Sequence, residues 1–140
     1  MNNTKRNEKG FTMVELIIVV AIMGIIGALL VPAFGAMSAK ARLTTDLSTV
    51  KTLKRTADSY KAELGSYPAA TDLSGLNSAL GEKGYLDASA VIQTSGAGVT
   101  YSQGDGGIKL NVSGAIKDND TSKAAEALKA HNSEFMDFSK

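Results

Sequence analysis

Few residues in this 140-residue chain have side chains suited to catalysis. The sequence has no cysteine, which excludes disulfides, thiolate nucleophiles and cysteine-ligated metals. His131 is the single histidine, and its place beside Asn132 predicts a solvated residue at a polar helix end rather than a catalytic base. The segment 118–120 matches a calcium loop only in composition, because the glycine and distal glutamate of an EF-hand are missing. We therefore predict no enzyme activity and no cofactor, and we assign no metal site.

Glu15 is chemically notable because it stands at the front edge of a long apolar stretch. From Leu16 to Ala39 there is no charged side chain, and as a helix this stretch would span roughly 36 Å, enough to cross a hydrocarbon core of about 30 Å. A carboxylate at the edge of hydrocarbon is costly unless it finds a partner. One partner is local, since Thr12 and Glu15 have the spacing of a capping box, with Thr12 as the N-cap.

The charges around the apolar stretch predict its orientation in a membrane. Lys5, Arg6 and Lys9 precede it, so the positive-inside rule places the N-terminus in the cytoplasm and the residues after Lys40 outside. From Lys40 onward, basic and acidic residues are interspersed, which is not the footprint of a nucleic-acid-binding surface. DNA is therefore a partner that the sequence does not support.

The remaining chain alternates between helical and extended patterns. Apolar residues at steps of three and four predict that the helix continues from residue 43 to Leu64, where Gly65 and the Tyr67-Pro68 pair end it. A short helix is predicted around 73–80. Alternating apolar and polar residues on either side of Gly104–Gly107 predict an antiparallel hairpin. A further helix is predicted at 122–130, with Asp120 or Thr121 as its N-cap.

These elements predict an α+β fold. A hairpin is not stable alone, so its apolar face must cover another element, and the long complementary stripe in this chain is that of residues 43–64. We expect a long N-terminal helix, first transmembrane and then amphipathic, packed against a small antiparallel β-sheet.

The stretch KGFTMVELIIVVAIMGIIGALLVPAF resembles the N-terminus of type IV prepilins and the related pseudopilins. The resemblance covers about residues 5–35, and beyond them only the architecture is similar. Its elements are a short basic leader, Gly10 before Phe11, Thr12, an acid four residues after Phe11, an apolar helix and Pro32. The resemblance implies a pilin-like fold with a leader at 1–10, a transmembrane and filament-core helix segment at 11–39, and an extracellular globular domain at 40–140 that includes the outer half of the long helix.

The resemblance also implies a processing step and an assembly step. A prepilin peptidase would cut between Gly10 and Phe11 and methylate the new Phe11 amine. Glu15 of an incoming subunit would then meet the Phe11 amine of a neighbour, with Thr12 in the same assembly region. Local melting of the helix would involve the following residues: Gly24, Gly27 and Pro32. An alternative interpretation is that the small residues Gly24 and Ala28 form a helix-contact face.

Three functional classes follow, of which the first is a structural subunit of a type IV pilus. Its partners would be other copies in a helical filament, the prepilin peptidase, an assembly platform protein with its ATPase, and membrane lipid before assembly. The second class is a pseudopilin of a type II secretion or DNA-uptake apparatus; some type II secretion pseudopilins carry distal calcium sites, which leaves a metal at 118–120 open. The third is a membrane-anchored, non-polymerising extracellular binding domain, or a secreted protein cut after Ala39 or Ala41.

Overall fold

The structure is a computed structural model that describes residues 10–139. The predicted basic leader residues Lys5, Arg6 and Lys9 lie outside the described residues. Along the described chain the elements are α1 (Met13–Leu64), α2 (Leu73–Glu82), β1 (Gly98–Ser102), β2 (Gly107–Asn111), α3 (Asn119–Asn132), a 3₁₀ turn (Ser133–Phe135) and β3 (Met136–Asp137). The observed fold is α+β, as predicted.

The described residues divide into two units, 10–34 and 35–139. In the first unit, the large apolar side chains from Phe11 to Phe34 are between 48% and 89% exposed. A helix that is apolar on all sides requires an apolar environment. Among the described residues α1 is the single helix long and apolar enough to cross a membrane, judged by length and composition.

The second unit has a hydrophobic core built on one face of α1. The side chains of 43, 47, 50, 53 and 57 are buried, and their spacing of three and four places them on one stripe. This stripe packs with buried residues of α2, of β2 and the position directly after it, of α3 and of β3, which are Leu76, Leu80, Ile108, Leu110, Val112, Ala124, Ala125 and Met136. The predicted packing of the amphipathic helix on the sheet is confirmed. Leu64 departs from the predicted stripe, because it is 50% exposed.

The sheet contains the predicted hairpin and one further strand. β1 and β2 pair antiparallel, with Val99 opposite Leu110, and Gly106 in their turn has a φ of 64°, which favours glycine. β3 pairs parallel with β2, with Met136 opposite Leu110, so the sheet order is β1-β2-β3. Because β3 has two residues, it is too short for an alternating pattern to predict.

The helix starts follow capping chemistry, with one correction to the predicted caps. α2 begins at Asp72, whose carboxylate accepts the Gly75 N–H at 2.8 Å. The N-cap of α3 is Asp118, whose carboxylate accepts the Thr121 N–H at 2.7 Å, so the prediction of Asp120 or Thr121 was wrong. An N-cap side chain bonds the N–H two or three residues further on. Asp118 therefore caps the helix through the N–H of Thr121, and Asp120 and Thr121 lie in the first turn.

Candidate functional site

The candidate site at the start of α1 is organised by Thr12 and Glu15. The Thr12 N–H donates to Glu15 Oε2 at 2.9 Å, and the Thr12 hydroxyl donates to the same oxygen at 3.0 Å. In return, the Glu15 N–H donates to Thr12 Oγ1 at 3.2 Å. These reciprocal bonds satisfy donors that a helix start leaves free. The predicted capping box is confirmed.

The same carboxylate keeps an accessible oxygen. Glu15 is exposed, and within residues 10–139 its Oε1 accepts no hydrogen bond and its carboxylate forms no ion pair. An ionised carboxylate can accept several hydrogen bonds from a cation. The arrangement can therefore bind an ammonium group while the cap within the chain is retained, or exchange the cap for it.

Gly10 and Phe11 precede the helix and are accessible. Both residues are exposed and outside regular secondary structure, since α1 begins at Met13. Together with Thr12 and Glu15 they line one open surface concavity. The structure thus brings the predicted cleavage residues and the predicted assembly residues together, in a segment that a peptidase could bind in extended form.

The predicted flexibility residues lie further along α1. Gly24, Gly27 and Pro32 are all inside its helical segment, at least nine residues after Glu15 in the sequence. A methyl group added at Gly24 or Gly27 would meet nothing within 4 Å, so these two glycines are not required by packing within the described chain. Proline lacks the N–H of the helical ladder, and Pro32 therefore cannot bond the carbonyl four residues before it.

A polar cluster fixes the segment that follows α1. Lys54 Nζ lies 2.5 Å from Asp58 Oδ1, and the Tyr67 hydroxyl donates to the same oxygen at 3.0 Å. Two hydrogen bonds hold the pKa of Asp58 below its usual value. The bond from Lys54 has the larger effect, and the bond from Tyr67 has the smaller one. Lys61 lies 4.3 Å from the centroid of the Tyr67 ring, a cation–π distance. Tyr67 therefore ties the helix-ending turn back onto α1.

Asp46 is a buried acid that the sequence analysis did not single out. Its side chain is 0% exposed, and its carboxylate accepts the N–H of Gln93 at 2.7 Å and of Thr94 at 2.9 Å. The signal was its spacing, because Asp46 comes three residues after Leu43 and four before Val50 and so lies on the buried stripe.

Comparisons with known proteins identify the N-terminal segment. A family model described as "Prokaryotic N-terminal methylation motif" matches residues 5–31. The chain is 34% identical over 65 residues to type II secretion system core protein G of Pseudomonas aeruginosa, covering 46% of each chain. It is 44% identical over 52 residues to a fimbrial protein of Pseudomonas aeruginosa, covering 37% of this chain and 34% of that one.

A longer match is to fimbrial protein EcpC of Eikenella corrodens, with 29% identity over 112 residues, which is 79% of this chain and 72% of the relative. The first two relatives are matched over less than half of their own length. No solved structure matches the chain significantly. Over the matched regions the chain is similar to fimbrial proteins, to a type IV major pilin and to type II secretion system core protein G, and its N-terminal segment matches the methylation motif. These relatives bear the names of fimbrial and secretion proteins, not of enzymes.

Proposed function

We propose that the chain is a structural subunit of a type IV pilus. A prepilin peptidase cleaves between Gly10 and Phe11 and methylates the Phe11 amine, and the mature subunit then polymerises through its N-terminal helix. One observation carries this proposal: large exposed apolar side chains and an accessible carboxylate occur together at the start of α1. The apolar side chains extend from Phe11 to Phe34, and the carboxylate is that of Glu15. The methylation motif over residues 5–31 supports the processing step.

Glu15 provides the register of assembly in this proposal. When apolar helices pack around it, its carboxylate loses water and requires a cation. The Phe11 amine of a neighbouring copy is that cation, and methylation leaves its charge in place. A subunit docked one turn out of register would bury the carboxylate unpaired, which is strongly unfavourable.

Before assembly, the subunit resides in the cytoplasmic membrane as a single-pass precursor. Residues 11–39 cross the lipid with the N-terminus inside, and residues 40–140 form the external domain. The length and composition of α1 support this stage. An assembly platform protein and its ATPase then move the subunit out of the lipid into a surface filament. Gly24, Gly27 and Pro32 allow the helix to loosen during that transfer, since glycine and proline are poor helix formers.

The charge of Glu15 is tested by two substitutions that separate it from the helix cap. Glu15→Gln keeps a cap, because glutamine serves at the third position of a capping box, but it removes the charge. Glu15→Leu removes both. We expect both variants to be made, cleaved and retained in the membrane, and to give filament yields at least about tenfold below wild type. Filaments are measured by immunoblot of the sheared surface fraction and by electron microscopy.

Glu126→Gln is the matched control, because Glu126 is an exposed acid on α3. It should give wild-type filaments. Mass spectrometry of the mature chain should find N-methylated Phe11 in all variants. Wild-type filament yield from Glu15→Gln, with a defect in Glu15→Leu alone, would show that the cap matters and the charge does not, and would refute the proposed register role.

The second candidate is a pseudopilin of a type II secretion apparatus. The similarity to core protein G favours it. A strain lacking the gene separates the two functions: loss of surface filaments with normal exoprotein release supports a pilus, and the opposite result supports a pseudopilus. A mature chain that begins at Lys40 or Arg42 would exclude both and indicate a secreted protein.

A further inference from the structure

The strand β1 forms one edge of the sheet, and its outer side has no partner. In the order β1-β2-β3, β1 pairs with β2 on one side. Among the described residues, the backbone of 98–102 forms no hydrogen bond to backbone outside this pairing. Alternate residues of an edge strand direct their N–H and C=O groups away from the sheet. This edge can therefore accept a further strand.

The side chains at this edge show that it is accessible. Val99 and Tyr101 pack against the hydrophobic core, yet both remain partly exposed. Their partners on β2, Leu110 and Ile108, are 0% and 2% exposed. On the outer face of β1, Thr100 is exposed. The core therefore covers β2 fully but leaves β1 open along its outer side.

β1 lacks the features that usually protect an edge strand. Its sequence, GVTYS, has no charged residue and no proline, and its register with β2 is continuous over five pairs, without a bulge. Natural edge strands are commonly blocked by lysine, proline, a bulge or short length. The edge at β3 has such protection, because that strand has two residues. β1 is thus the edge that is open to pairing.

The sequence of β1 is complementary to itself. In an antiparallel pair with Thr100 opposite Thr100 of a second copy, all residues of the strand are paired, and Val99 lies opposite Tyr101 on both sides of the centre. Threonine pairs and aromatic–β-branched pairs are favourable across strands. No like charges oppose each other. We propose that β1 pairs with β1 of a second copy and joins two three-stranded sheets into one.

This pairing has a two-fold axis perpendicular to the sheet. Such an axis reverses every direction that lies in the plane of the sheet, including that of the outer half of α1, which packs on the sheet. Subunits within one helical filament all run in the same direction, so β1 pairing does not join neighbours in a filament. If the chain is a pilus subunit, on which this step depends, the pairing joins two filaments that run in opposite directions.

A single β1 pair should be weak. Two five-residue strands bury much less than the roughly 1,200 Å² at the lower limit of stable interfaces, so we expect isolated chains to associate with a Kd on the order of 1 mM. Two filaments present many copies at once, and such multivalency can strengthen binding by about 10²–10⁴-fold. The contact is therefore significant between filaments rather than between free subunits.

Disulfide trapping tests the pairing directly, because the chain has no cysteine. Thr100→Cys places the new sulfur opposite its own counterpart, with Cβ atoms about 4.5–5.5 Å apart, close to disulfide reach. Lys109→Cys is the matched control. Lys109 is exposed and directly opposite Thr100 on β2, so in the paired sheets its two copies would be about 14 Å apart.

Both variants are oxidised mildly as full-length chains at about 1 mM in neutral detergent micelles, and disulfide dimers are measured on non-reducing gels. We expect at least about fivefold more dimer from Thr100→Cys than from Lys109→Cys. Equal dimer yields would overturn the proposal.

Thr100→Lys should abolish the pairing, since it places like charges opposite each other. In the wild type, amide NMR signals of β1 should shift with concentration, and Thr100→Lys should lose this dependence. Ser78→Lys, at an exposed position of α2, is the control and should behave as wild type. Concentration-independent β1 signals in the wild type would refute self-pairing. If those signals instead shift on addition of an unrelated extended peptide, the edge has another occupant and the proposal is also wrong.

Electron microscopy of surface filaments separates this inference from the proposed function. Thr100→Lys should give a wild-type filament yield but at least about threefold fewer laterally paired filaments, whereas Ser78→Lys should pair as wild type. Filaments that pair equally often in both variants would refute the inference alone. Absence of any filaments, together with disulfide dimers of Thr100→Cys in micelles, would refute the proposed function and leave β1 pairing standing.

Discussion

Asp46 connects α1 to the loop before β1. Its buried carboxylate accepts two backbone N–H groups of that loop, from Gln93 and Thr94. The loop there has no regular secondary structure, so these donors have no partner in a sheet or helix and need the side chain instead. The acid thus determines where the backbone of this loop lies relative to α1.

Replacing Asp46 should therefore destabilise the second unit. Asp46→Ala leaves the buried N–H of Thr94 and the partly buried N–H of Gln93 without their acceptor. A buried unpaired group costs about 1–3 kcal/mol, so we expect the free energy of unfolding to fall by at least about 1 kcal/mol. Asp46→Asn keeps one acceptor oxygen and should lose less. Chemical denaturation followed by circular dichroism measures both. Asp87→Ala, at an exposed position, is the control, and an unchanged unfolding midpoint in Asp46→Ala would contradict the proposed role.

The N-cap of α3 predicts an acid-sensitive stability. The backbone bond from Thr121 lowers the pKa of Asp118 from its ordinary value of 3.8. A carboxyl whose pKa is lower in the folded chain contributes stability above its unfolded pKa, and this stability is lost as the pH falls through the folded pKa. The pKa values of Asp58, Asp105 and Asp137 are lowered as well. We expect a steady melting temperature from about pH 7 to about pH 5 and a fall below about pH 4.

Asp118→Asn isolates the contribution of this one cap. Asparagine caps helices about as well as aspartate but does not titrate. The variant should melt near the wild-type temperature at pH 7 and lose less stability on acidification than the wild type. Identical acid profiles for the two proteins would mean that the Asp118 carboxyl does not contribute to the acid sensitivity.

The elements that could be predicted from the sequence are those with a strong local period. Alternation predicted β1 and β2, and the steps of three and four predicted the buried stripe of α1. The capping box at Thr12 was equally local. β3 could not be predicted, because two residues in the tail carry no period and pair with β2 only in the folded chain.

The glycines of α1 predict how easily this helix loosens. Each glycine costs nearly 1 kcal/mol relative to alanine in a helix, and an alanine at Gly24 or Gly27 would meet nothing within 4 Å. The double substitution Gly24→Ala and Gly27→Ala should therefore strengthen the helix without a clash. We expect slower amide exchange around these residues in micelles. The filament yield should also fall if assembly requires local melting.

The measurement compares amide exchange and filament yield for the double variant and for wild type. Cleavage and membrane retention should stay unchanged, which separates an assembly defect from a processing defect. Slower exchange together with a wild-type filament yield would count against local melting, as would an intact helix by amide exchange in assembled wild-type filaments.

The two units of the whole molecule differ in how they are stabilised. Every buried apolar side chain of the described residues lies between Leu43 and Met136, inside the unit 35–139. The unit 10–34 contributes none, and its exposed apolar side chains need lipid or other helices around them. The stability of the second unit should therefore not depend on the first.

A chain that begins at Gly35 tests this independence. We expect it to be soluble without detergent and to melt within about 5 °C of the full-length protein in micelles, a difference of less than about 1 kcal/mol for a domain of this size. The full-length chain should instead require detergent or membrane, because a contiguous apolar surface of this length aggregates in water. Thermal unfolding by circular dichroism and sedimentation of both chains provide the comparison. A shortened chain that is unfolded or insoluble would mean that residues 10–34 support the folded domain. A membrane anchor that is also part of the fold could not leave the lipid without destabilising the domain.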